Sequence, residues 1–145
     1  MEHPVAVGER SQLAVMLAFA AADLPFLVPH GENTRYDLVL DLGDRFVRIQ
    51  CKTGRLRAGA IRFAACSTYA HHPNPRTQRR DYAGQVDCFA VYCPETAGVY
   101  LIPLDEFTNR ACGMLRVAPT RNNQRRRIRL ADDYHFADVS VEITG

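Results

Sequence analysis

Apolar and polar residues alternate over residues 36–42 and again over 45–52, on either side of Gly43-Asp44. Alternation with period two predicts half-buried strands, and a two-residue connection with glycine first suits a tight hairpin turn. With Gly43 and Asp44 in the turn, Leu42 faces Arg45, and counting outward brings Asp37 opposite Gln50. Directly opposed residues share a face with Cβ atoms about 5 Å apart, and Lys52, two positions beyond Gln50, joins them. The other face collects Tyr36, Leu38, Leu40, Leu42, Val47, Ile49 and Cys51, a set suited to a core. A slip of one residue would put Asp37 and Lys52 into that core, so the hydrophobic pattern fixes the register. Val39 and Phe46 share the polar face and need a cover, which we expect from a helix over residues 9–22.

That helix is capped by Gly8, carries Glu9 in its first turn and ends at Asp23-Leu24-Pro25. Its apolar surface runs all round, which implies burial on more than one side, against a sheet and a neighbouring subunit. Residues 26–28 and 61–65 are further strands, and 86–92 with 99–102 form a second hairpin. Residues 104–107 suit a short helix, 114–117 and 139–143 short strands, and 122–136 either a helix or a strand followed by a helix. Residues 67–85, with two prolines and His71-His72, read as a long loop of the kind that is more often functional than idle. Adjacent histidines point apart in an extended chain, so they make a poor metal pair.

Length bounds the chain to one domain, residues 1–145. The net charge of +2 conceals arginine-rich stretches at 76–80 and 121–129, which suit an anionic partner. Arg76, Arg79, Arg80, Arg121 and Arg125 are candidate phosphate contacts, and Asn123 is of a type that reads bases. Each is also an ordinary loop residue. The five cysteines are odd in number and lack a CxxC, so we expect buried, reduced thiols in a cytoplasmic protein. Residues 13–22 are too few to span a bilayer, and no signal-peptide pattern precedes them.

Lys52 is the only lysine among 18 basic residues. Beside Asp37 and Gln50 it suits hydrolysis of a phosphodiester. That reaction needs an activated water and neutralisation of charge on the phosphoryl oxygens, which a bound Mg²⁺ and a nearby ammonium supply. Mg²⁺ keeps several of its waters and needs only one or two carboxylates. Asp37 is the first candidate ligand and the Gln50 side-chain oxygen a weaker second. Arginine replaces such a lysine poorly, because its guanidinium is bulky and does not release a proton. Asp41 suits a salt bridge with Arg48, and Asp87 either a partner for the site or the end of a loop.

The chain resembles the PD-(D/E)XK nuclease superfamily, and within it the group I intron-associated PD-(D/E)XK endonucleases. The resemblance rests on Gly8-Glu9-Arg10, Tyr36-Asp37-Leu38-Val39 and Arg48-Ile49-Gln50-Cys51-Lys52-Thr53-Gly54, together with Tyr82-Ala83-Gly84-Gln85-Val86-Asp87-Cys88-Phe89-Ala90-Val91-Tyr92 and Val99-Tyr100-Leu101-Ile102-Pro103. It implies an α+β, restriction-endonuclease-like fold with an α-β-β-β-α-β core around a central mixed sheet. It also implies cleavage of double-stranded DNA with Mg²⁺, or Mn²⁺ in its place. Asp37 matches the metal-binding Asp, Lys52 the catalytic Lys, and Glu9 the helix-borne acid of resolvase-like branches. Tyr36 replaces a Pro that carries no chemistry. Gln50 stands where most members have an acid, a variant familiar in the intron-associated branch. We therefore expect a site-specific homing endonuclease acting as a homodimer or homotetramer. The rivals are a structure-selective nuclease resembling Holliday junction resolvases and a non-catalytic DNA-binding module of the same fold.

Overall fold

The computed structural model describes residues 3–31, 34–70, 77–80, 82, 84–107, 111–117 and 129–136. It opens on helix α1 (Pro4–Ala21), which starts earlier than expected. Pro4 sits in the first turn, where a missing N–H costs nothing, and His3 Nδ1 accepts the Val5 N–H at 3.3 Å. Gly8 is therefore inside the helix and does not cap it. The C-terminus closes as a Schellman motif. Asp23 takes a left-handed φ of 57°, its N–H bonds Ala20 O at 3.1 Å, and the Leu24 N–H bonds Phe19 O at 2.9 Å.

A five-stranded sheet follows the order β1 (Phe26–Leu27), β2 (Leu38–Asp41), β3 (Phe46–Thr53), β8 (Cys88–Cys93) and β9 (Gly98–Pro103). β3 and β8 run parallel and the other neighbours antiparallel, so the sheet is mixed. The hairpin has the register its pattern predicts, with Leu38 opposite Ile49 and Asp41 opposite Phe46. Gly43 has a φ of 88° in the turn, and its N–H is held by Asp41 Oδ1 at 2.9 Å. Asp41 thus braces the turn and does not pair with Arg48.

Two cores flank this sheet. On one face α1 lays Val15 and Phe19 over Leu38, Leu40, Val47 and Ile49. The helix therefore covers the apolar face, not the face of Val39 and Phe46, and Phe46 remains 63% exposed. The richer apolar surface buries more area under the helix stripe, and that decides which side is covered. Leu13 and Leu17 on the outer side of α1 stay exposed.

On the other face a three-stranded antiparallel sheet, β4 (Arg55–Arg57), β5 (Ala60–Ala64) and β10 (Cys112–Arg116), packs Ile61, Phe63 and Leu115 against Phe89, Val91 and Ile102. β4 and β5 are joined by Ala58 and Gly59, both at positive φ, the requirement of a type I′ turn. Part of the expected long loop is a hairpin, β6 (Ser67–Ala70) with β7 (Thr77–Arg80). Leu104–Phe107 and Ala131–Tyr134 are 3-10 turns. The strand expected at 139–143 and residues 122–128 of the segment 122–136 lie outside the described residues. Among those described α1 is the only α-helix. Of the five thiols, all free, Cys66, Cys88 and Cys93 are buried, while Cys112 is exposed at the start of an edge strand.

Gly54 joins β3 to β4 where the two sheets meet. A Cβ there would lie 2.6 Å from Ile61 Cγ2 and 2.8 Å from Val91 Cγ1, closer than packed atoms tolerate. Gly54→Ala is expected to lower stability by about 1–3 kcal/mol, read as a fall in the midpoint of denaturant unfolding.

Candidate active site

The β2–β3 ladder does not continue past Leu38. The Asp37 N–H bonds Ile49 O at 2.8 Å, and the Cys51 N–H is taken at 2.9 Å by Asp37 Oδ2, a side chain standing in for a backbone acceptor. This shift also turns Tyr36 away from the Leu38 face, where alternation had placed it, and onto the opposite core. The carboxylate is half-buried at the resulting break. Burial raises its pKa, and the Cys51 amide and the Lys52 charge lower it only part of the way back. The same burial, with the Asp37 charge beside it, pushes the Cys51 thiol far up and leaves it inert.

Lys52 points away from α1. Its Nζ donates to Tyr82 Oη at 2.9 Å and lies 4.8 Å from the Tyr82 ring centroid. Tyr82 is 4% exposed and meets Phe89 edge-on at 5.7 Å. The Arg35 guanidinium lies over the same ring at 4.0 Å, and its Nε donates to Gln85 Oε1 at 2.8 Å. One buried phenol thus engages two cations, each at cation–π distance. Gln50 is half-buried beside them, its Nε2 reaching Cys51 O at 3.5 Å.

The segment carrying Tyr82 is tied to β3 by an ion pair. Arg48 Nη2 and Nε meet Asp87 Oδ1 and Oδ2 at 3.0 and 3.1 Å, and Nη1 donates to Gly84 O at 3.1 Å. The Arg48 N–H adds a bond to Asp87 Oδ2 at 2.8 Å. These Arg48 hydrogen bonds hold the Asp87 pKa below the ordinary carboxylate value. Asp87 therefore supports the site through Arg48.

Asp37 and Lys52 come within electrostatic reach of each other, and Gln50 shares a strand with Lys52. Glu9 is not brought to them. On α1 it is exposed and borders a shallow cleft with Gln12, Leu13 and Met16. Ser11, two residues on, faces the sheet and bonds Thr53, and two helical steps rotate a side chain by about 200°. Arg79 and Arg80 pair through their backbones with Thr68 and Ser67. Arg76, Arg121, Asn123, Arg125 and the His71-His72 pair lie outside the described residues. Arg129, the last residue of the second arginine-rich stretch, bonds Glu106 at 3.3 Å. The roles of Tyr82, Arg35 and Gln85 went unassigned in the sequence. Tyr82 and Gln85 belong to a string that carries the family resemblance and Arg35 immediately precedes another, yet nothing local says that Tyr82 meets Lys52 thirty residues away.

Because the folded-state pKa of Asp37 is raised, the folded protein binds that proton more tightly than the unfolded chain does. Stability without metal should therefore fall as pH climbs from the unfolded-state value through the raised one. Asp37→Asn keeps an acceptor for the Cys51 amide and removes the charge. It is expected to melt above wild type in metal-free buffer at neutral pH, with the gap closing in acid, as read by calorimetry across pH.

The comparisons with known proteins fit this geometry. No curated protein matches the chain. The structure titled as that of a bacterial homing endonuclease, I-Ssp6803I, is similar with a TM-score of 0.74 and 22% identity, covering 97% of this chain and 93% of that one. At that identity the likeness speaks for the fold, which is the restriction-endonuclease-like α+β fold with a central mixed sheet. A family model described as PD-(D/E)XK endonuclease matches residues 3–137. Nearly the whole chain, with Asp37, Gln50 and Lys52 inside the match, thus belongs to the PD-(D/E)XK endonuclease family.

Proposed function

We propose that this nuclease is a Mg²⁺-dependent, site-specific endonuclease of double-stranded DNA, of the homing type. The observation that carries the proposal is the pairing of a half-buried carboxylate, Asp37, with the chain's one lysine, held by Tyr82.

The donor set suits a hard divalent cation. Burial leaves the Asp37 carboxylate short of water, and its raised pKa means that the neighbouring amide and ammonium do not offset the loss. A cation at its oxygens would. Asp37 would hold Mg²⁺ with the side-chain oxygen of Gln50 and the metal's own waters, and Mn²⁺ accepts the same oxygen ligands. Among the described residues no three His, Cys, Asp or Glu side chains are grouped for a metal, so the site is lean in charge. When bound, the ion supplies Lewis acidity and a more acidic water.

The remaining work falls to the protein. Lys52 orients the attacking water and donates to a non-bridging phosphoryl oxygen as negative charge grows there. The water oxygen bonds to phosphorus, the P–O ester bond breaks, and the departing oxygen takes up a proton. Tyr82 fixes the ammonium so that its reach is set before DNA arrives. Cutting both strands takes two such sites, and the exposed Leu13 and Leu17 on α1 support assembly as a homodimer or homotetramer. Five free thiols suit a reducing cytoplasm. No helix among the described residues is long and apolar enough to cross a membrane.

A nicking assay on a plasmid library, with Mg²⁺ or EDTA, tests the proposal. Wild type is expected to cut at a defined site, and EDTA to abolish the cut. Lys52→Ala should lower the rate by about 10²-fold or more. DNA binding by wild type without any Mg²⁺-dependent cut would instead favour the non-catalytic module, with the neutral Gln50 as its cause. Tyr82→Phe removes the Lys52 acceptor and keeps the ring under Arg35. It should slow cutting by roughly tenfold, the worth of one hydrogen bond to a charged group, with DNA affinity unchanged. In a Lys52→Ala background the same change should cost nothing further, which a double-mutant cycle would read.

A further inference from the structure

The outward positions of the small β4–β5–β10 sheet form a grid. Cross-strand partners Arg55, Arg62 and Met114 make one row, and Arg57, Ala60 and Arg116 the next. Four of the six are arginines. Arg55, Arg57, Arg62 and Met114 are exposed, while Ala60 is buried between its flanking arginines. Arg55 and Arg62 oppose each other directly, an arrangement of like charges that costs a sheet stability.

Among the described residues one acidic side chain approaches this pair. Glu95 Oε2 approaches Arg55 Nη1 at 3.7 Å, and its other oxygen already takes the Leu56 N–H at 3.0 Å. Arg57 and Arg62 meet no acidic side chain among the described residues. Within the sheet, rows lie about 7 Å apart and columns about 5 Å apart. Guanidinium forks on such a rigid base suit phosphate oxygens, which they bind in pairs.

We propose that this face, through Arg55, Arg57, Arg62 and Arg116, binds the phosphate backbone of the DNA duplex. The inner side of the same sheet packs Ile61 and Phe63 into the core that contains Tyr82, Phe89 and Val91. The grid is the outer side of that sheet, and at its edge Arg55 borders a cleft with Val7, Arg10, Ser11 and Ala14 of α1. The duplex is the substrate of the nuclease reading, and for the choice of that partner the proposal rests on it. The partner's charge removes the Arg55–Arg62 repulsion on binding, and the cost in the free protein becomes affinity in the complex.

The test is DNA binding by fluorescence anisotropy in EDTA, on a short random-sequence duplex, over a series of salt concentrations. Wild type is compared with Arg57→Gln, Arg62→Gln and the double lysine variant Arg57→Lys/Arg62→Lys. Each glutamine variant should flatten the plot of log affinity against log salt by about 0.9. The lysine variant should keep the wild-type slope, and Arg62→Gln should melt no lower than wild type. Plasmid nicking with Mg²⁺ is run beside it. Unchanged slopes with wild-type nicking intact would overturn the phosphate surface and leave the nuclease reading standing. Flattened slopes without nicking would uphold the surface and overturn the nuclease reading. No binding by wild type would overturn both.

Discussion

The hydrogen bond from the Cys51 amide to the Asp37 carboxylate joins the fold to its chemistry. It fills the place of the next rung of the β2–β3 ladder, and so it ends β2, turns Tyr36 to the far side and holds a carboxylate still in a half-buried notch. A strand that continued regularly would point the acid outward from the pleat and leave it solvated. Here the backbone gives up a ladder bond, and the acid sits where a charge is costly without a cation. Functional sites commonly carry such local cost, which the rest of the structure supports.

That support comes from the opposite side of β3. Arg48 and Asp87 clamp the segment that follows the β6–β7 hairpin to β3 by a forked ion pair and two backbone contacts. This brings Tyr82 under Phe89 and beside Lys52. Exposed ion pairs add little stability on average, so we read the pair mainly as a device of placement. The arginine at position 35 reaches the same ring from the strand entering β2. One buried phenol thus gathers two cations at the edge of the core.

The packing explains why the helix and the site do not share a face. α1 offers a stripe of Val15 and Phe19 and finds the apolar side of the hairpin, with Ser11 meeting Thr53 at the far end. Lys52 alternates with Cys51 and Thr53 and is directed to the other side, under the second sheet. Gly54 allows the chain to leave β3 and enter that second sheet at close range. The carboxylate on the helix, Glu9, is left at the surface for the same reason that Ser11 is buried.

By itself the sequence determined the hairpin, its register and the side chains that meet across it, because a period of two around a glycine turn admits one pairing that buries Leu38, Leu40, Val47 and Ile49. It also named Asp37, Gln50 and Lys52 as candidates, but Asp37 lies beyond the last ladder pair and not opposite Gln50, and it comes near Lys52 with its carboxylate on the Cys51 amide. What only the tertiary structure decided was everything that depends on contacts distant in sequence or on rare backbone states. The helix chose the richer apolar face over the one with Val39 and Phe46. β4 escaped notice because its turn places Ala58 at a positive φ, which alanine seldom adopts and no pattern announces. The break at Asp37 looks like ordinary alternation until the Cys51 amide is seen to need an acceptor. Tyr82 and Asp87 acquire meaning only when β8 lies parallel to β3, a pairing between distant segments that no local periodicity encodes.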